Sequence, residues 1–189
     1  RANIFGMEIL KKFRVHFAVI AAITVITSIY FLPAYSGKVL QQDDIQIGVG
    51  KSKEIKDYRA ETGKEALWTN SMFSGMPAFQ LNVFFPSNVF EKLERITKLK
   101  LPGGIGLFFT LMVGMYILLV SLKVNPWLAG IGSLAFAFSA FFIISFAAGH
   151  NAKLRAAGCI APMLGGIILT LNGKRLLGMA TTALFLGMA

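Results

Sequence analysis

Four apolar stretches, at about residues 15–34, 104–122, 127–147 and 156–171, and the start of a fifth near Leu176, leave this chain few ways to fold. About 20 residues of α-helix cross the roughly 30 Å of hydrocarbon in a bilayer. A helix also satisfies its own backbone donors and acceptors there, which an open strand cannot. The expected fold is therefore all-α, a polytopic transmembrane helical protein. Composition agrees: 55% of the 189 residues are hydrophobic, only 15% are charged, and mean hydropathy is +0.64. A soluble domain of this size carries more charge. The net charge of +10 does not point to nucleic acid, because the basic residues flank the apolar stretches. There they set orientation and meet anionic lipid headgroups. Cys159 is the single cysteine, so no disulfide forms within the chain.

The organisation follows: an N-terminal segment 1–14, a first span 15–35, a long polar segment 36–102, and spans two to five over 103–189. The apolar run after Lys11, Lys12 and Arg14 is too long for a signal peptide and lacks a small-residue cleavage site, so an uncleaved span is expected. Those three cations place the N-terminus in the cytoplasm. The 36–102 segment is then extracytoplasmic, Lys123 is inside, His150–Arg155 is outside, and Lys174-Arg175 is inside. Lys153 and Arg155 depart from the positive-inside rule. The chain ends at Ala189 within an apolar run and without a helix stop signal, so it is expected to be a piece of a longer membrane protein.

The long segment carries ten basic and eight acidic residues. Ser52–Thr62 reads as a short polar helix capped by Ser52. Leu67–Phe85, with Trp68, Phe73, Met76, Phe79, Phe84 and Phe85, is aromatic and is broken by Gly75 and Pro77. It is expected to lie against the membrane or over the spans. Ser87–Leu99 gathers Val89, Phe90, Leu93, Ile96 and Thr97 on one face, as an in-plane interfacial helix does.

Three constellations could carry chemistry. Asp43 and Asp44 stand just past the first span. An ionised aspartate there could take a proton from a hydroxyl, or the pair could be a solvated turn at Gln41–Asp44. His150, Asn151, Lys153 and Arg155 form a polar hinge on the same side. Lysine and arginine suit a phosphate anion, and the alternative is basic residues snorkelling to headgroups. Trp68 and Asn70 begin a stretch able to stack on a sugar and bond its hydroxyls, or to serve as an aromatic belt. No sequence pattern for a metal site, P-loop or dinucleotide fold is present.

The segments "LWTNSMFSGMPAFQ" (Leu67–Gln80), "GHNAKLRA" (Gly149–Ala156) and "QQDDIQ" (Gln41–Gln46) together resemble the N-terminal part of YfhO-like bacterial membrane proteins. That family is similar to the GT-C class of glycosyltransferases. The resemblance implies a GT-C-like N-terminal portion in the bacterial cytoplasmic (inner) membrane. It also implies transfer of a sugar from a polyprenyl-phosphate carrier to an extracytoplasmic acceptor. Asp44 or Asp43 falls where that class keeps a catalytic acidic residue, which would act as base on the acceptor hydroxyl. His150, Asn151, Lys153 and Arg155 would then hold the carrier phosphate, and Trp68 and Asn70 would contact acceptor or sugar. No cofactor follows, and adjacent aspartates are not the spaced pair that some members use for a divalent cation. The alternative is a non-enzymatic polytopic protein, a transporter or a structural subunit of an envelope complex. The uncharged cores of spans one to four argue against an ion-coupled transporter.

Overall fold

The computed structural model describes residues 2–82, 87–90, 92–93 and 101–189, with backbone alone for 2–12, 80, 82 and 103. It is mostly helical. Helix α1 spans Ala2–Tyr30 and a short α2 spans Leu32–Tyr35, with Pro33 in its first turn. The other apolar helices are α6 (Gly103–Ser121), α7 (Pro126–Ala137), α8 (Ala140–Ala148), α9 (Asn151–Leu171) and α10 (Arg175–Met188). Three of these, over Phe13–Tyr30, Gly104–Ser121 and Asn151–Leu171, are long and apolar enough to cross a membrane; α7 and α8 pass the same test only as a bent pair, a broken span or a re-entrant loop. The molecule is a membrane protein.

The expected third span, 127–147, is not one helix. It breaks at Phe138-Ser139, and α7 and α8 meet at 45°. Neither proline nor glycine marks that break. It seats the Phe138 ring against Tyr30 and Phe108, with centroids 4.8 and 5.6 Å apart, and such tilted pairs favour the bent path. In the turn before α7, Asn125 Oδ1 accepts from the Trp127 N–H (3.0 Å) and Pro126 takes the first helical position.

Helix α6 lies at the centre, packed by α1, α7 and α9. Its middle approaches α9 through small residues. A Cβ on Gly114 would run into the Gly158 carbonyl and Pro162, and a Cβ on Gly158 would sit 3.0 Å from Thr110. Close backbone approach of this kind holds helices together in lipid, where apolar burial gives no drive. Helix α10 packs on α9 likewise, through Gly166, Thr170, Gly178 and Thr182.

The polar segment between α2 and α6 folds into a small lobe. Helices α3 (Asp43–Lys51) and α4 (Lys53–Thr62) join at a corner, followed by the antiparallel pair β1 (Trp68–Thr69) and β2 (Met76–Pro77) and by α5 (Phe79–Asn82). The lobe has its own buried cluster of Ile55, Ala66 and Ala78. Helix α4 is as expected, but Ser52 does not cap it: its hydroxyl donates to the Val49 carbonyl at 3.2 Å. Phe84 and Phe85, and residues 91 and 94–99 of the expected in-plane helix, lie outside the described residues. Phe90 packs on Gly187 at the end of α10.

Contacts assign the helix ends. Gly104 meets Phe146, and Phe90 meets Gly187, at the end where the lobe sits. At the opposite end His16 Nδ1 is 2.7 Å from the Tyr116 hydroxyl, and Gly165 lies against Ser121.

Candidate functional site

The site grows from the corner between α8 and α9. The expected hinge of residues 149–155 contracts to Gly149-His150, because Asn151-Ala-Lys-Leu-Arg-Ala-Ala is good helix-forming sequence and joins α9. Lys153 and Arg155 therefore ride on the opening turns of a membrane helix. Gly149 takes φ +99, its N–H donates to the Phe146 carbonyl (3.0 Å), and the His150 N–H reaches the Ser145 carbonyl (2.9 Å). This left-handed stop satisfies carbonyls at the end of α8.

The start of α3 rests on that corner. A Cβ on Gly149 would stand 3.0 Å from Asp44 Cβ, 3.3 Å from Gln42 Cβ and 3.3 Å from the Ile45 nitrogen. Gln42, only 9% exposed, donates through Nε2 to the Phe146 carbonyl, and its Oε1 accepts from Asn151 Nδ2 at 3.3 Å. Two residues on, Asp44 Oδ2 lies 2.7 Å from His150 Nδ1. An ionised carboxylate only accepts, so within this pair His150 Nδ1 is the donor. Asp43, exposed in the same turn, has no ion-pair partner among the described residues. Asp43 and Asp44 are therefore not in a loop. They open a helix, where carboxylates complement the positive end of the dipole.

Beside this corner lies a cavity of about 730 Å³ between α2, α6, α8 and the start of α9. Its walls are largely apolar, with Phe31, Leu107, Phe108 and Phe146 among them. Polar groups enter from Lys38, Gln42, Asn151 and Arg155. Gln42 and Asn151 line it, whereas Asp44 and His150 do not. The hydrogen-bonded amides thus stand between the apolar cavity and the carboxylate–imidazole pair.

Of the residues singled out from sequence, the fold brings Asp44, His150, Asn151 and Arg155 to one place. Lys153 is exposed on α9 and does not line the cavity. Trp68 and Asn70 stand elsewhere. Ser71 Oγ donates to the Lys51 carbonyl (2.8 Å) and so ties the β1–β2 tip to the far end of α3, about 10 Å along the axis from Asp44. There Glu54 accepts from the Thr69 hydroxyl (2.5 Å) and from the Asn70 N–H (2.9 Å). The Thr69 bond, first among these, holds the Glu54 carboxyl below its ordinary value. The Trp68 ring packs under Gly75. Sequence reasoning missed Lys38 and Gln42. Lys38 follows the span by four residues, and nothing in the pattern of Gln41-Gln42 separates a buried glutamine from a solvated one.

No protein-family model matches the chain, and neither a curated protein nor a solved structure matches it.

Proposed function

We propose that this chain carries the extracytoplasmic reaction end of a bacterial membrane glycosyltransferase, which moves a sugar from a polyprenyl-phosphate carrier to an acceptor hydroxyl. The observation that carries the reading is one juxtaposition: the Asp44–His150 pair beside an apolar cavity entered by Lys38 and Arg155. An isoprenoid chain needs an apolar bed, and its phosphate needs cations at the rim.

In this reading Asp44 is the general base. His150 donates to Oδ2 and holds the carboxylate, leaving Oδ1 for the acceptor hydroxyl. The acceptor proton passes to Asp44 as its oxygen forms a bond to the anomeric carbon. The bond from that carbon to the carrier phosphate breaks, and its electron pair leaves on the phosphate. The configuration inverts. Arg155 and Lys38 stabilise the charge that grows there, as preorganised cations do for a departing anion. Of the earlier candidates, Asp44 rather than Asp43 takes the base role, and Lys38 replaces Lys153 beside the phosphate.

The test uses the chain in lipid nanodiscs with polyprenyl-phosphate-linked labelled hexose and candidate envelope acceptors. Asp44→Asn should lower transfer by about 10³-fold or more, on the scale of losing a general base, while Asp43→Asn retains most of it. Equal activity in wild type and Asp44→Asn overturns the assignment.

A further inference from the structure

We infer that Gln42 is the positioning residue of this site, setting Asp44 against His150 from two residues away. The catalytic meaning of that role rests on the reading above; the geometry does not. Gln42 precedes α3 with extended backbone (φ −120, ψ 116) and makes no side-chain bond to cap it. A glutamine placed there to stabilise α3 would bond its first-turn amides. Its side chain instead crosses to the end of α8 and the start of α9. The amide is used on both ends: Nε2 on the Phe146 carbonyl, Oε1 on Asn151 Nδ2.

That choice fixes the register of the first loop against the α8–α9 corner. The Phe146 carbonyl also receives the Gly149 N–H, so Gln42 grips the atom that closes the turn bearing His150. Asp44 is then delivered two residues on, over a glycine whose missing side chain leaves its room. Both Asp44 and His150 are substantially exposed, at 48% and 40% of their side chains. An exposed pair does not by itself hold the lobe in place. The buried amide does that instead, and the exposed pair stays open on its outer side for an acceptor. Gln42 and Asn151 also line the edge of the cavity nearest the pair, so the same bridge sets the Asp44 carboxylate beside the mouth where the carrier-linked sugar would sit.

The chain has two histidines, His16 and His150, so ¹⁵N-histidine labelling in nanodiscs reads the pair directly. Asp44→Asn supplies the reference shift of the His150 ring signals on losing its partner. Gln42→Leu should reproduce most of that shift while the His16 signals, held by Tyr116, stay in place. Gln42→Asn, one methylene too short to reach both partners, should do the same if the leucine variant does not fold. Thr69→Val, which loosens the same lobe at its far end, should leave His150 unmoved. A Gln42→Leu protein with wild-type His150 signals overturns the inference, as does a Thr69→Val shift of equal size. Should sugar transfer never be found while the Gln42 variants unseat His150, the glycosyltransferase reading falls and the positioning role stands.

Discussion

Replacing Gly149 by alanine tests how the lobe is seated. Two costs add. Holding a non-glycine residue at φ +99 costs about 1–2 kcal/mol. The new Cβ would also meet Asp44 Cβ at 3.0 Å and Gln42 Cβ at 3.3 Å, tighter than ordinary carbon contact. Relieving it pushes the start of α3 away and strains the Gln42–Phe146 bond, itself worth about 1 kcal/mol. Gly149→Ala should therefore lose about 2–4 kcal/mol. Gly173→Ala is the control: φ is +85 there too, but a Cβ at that site meets nothing within 4 Å. It should lose only the backbone part, about 1–2 kcal/mol. Equilibrium unfolding in mixed micelles, titrated with denaturing detergent, measures both. If the two variants are equally destabilised, α3 does not rest on the α8–α9 corner and the site as described does not exist.

Other outcomes follow from the same packing. Gly114→Val should separate α6 from α9, because its Cβ would strike the Gly158 carbonyl and Pro162; a loss of about 3 kcal/mol by the same unfolding assay is expected. The Asn70 amide should be protected from hydrogen exchange at neutral pH through its bond to Glu54, and Thr69→Val should weaken that protection. Folding lowers the Glu54 pKa, so its contribution is complete above the ordinary value of 4.5 and fades as pH falls through the lower folded-state value. Intrinsic-rate-corrected protection at Asn70 should fall only in that acid window; loss between pH 8 and 6 would exclude Glu54 as the tie.

The membrane helices were legible because hydropathy over some twenty residues is a strong, local signal. The break at Phe138-Ser139 was not, since it follows from which rings Phe138 packs between, and those rings come from two other helices. Helix α3 was missed for a related reason: Ile45, Ile47, Gly48 and Gly50 are poor helix formers, and all of its residues outside the cap are unburied. Only the two aspartates in its first turn hinted at it. The pairing of Asp44 with His150 was foreseeable as a shared side of the membrane, not as a contact. What makes the contact is Gln42, whose burial depends on a carbonyl 104 positions away. The chemistry of Trp68 and Asn70 suggests substrate groups, whereas the fold uses the neighbouring Thr69 and the Asn70 backbone to anchor the lobe.

The lipid held in the cavity beside Gln42 decides whether this is a carrier-phosphate site. Native mass spectrometry of the chain in nanodiscs supplied with polyprenyl phosphate and an equal amount of phosphatidylglycerol would weigh one lipid against the other. We predict preferential retention of the polyprenyl phosphate, reduced at least tenfold in the Lys38→Gln, Arg155→Gln double variant, as expected for losing two charge-assisted contacts. Equal retention of both lipids, or retention unchanged in the double variant, would contradict a carrier-phosphate site in this cavity.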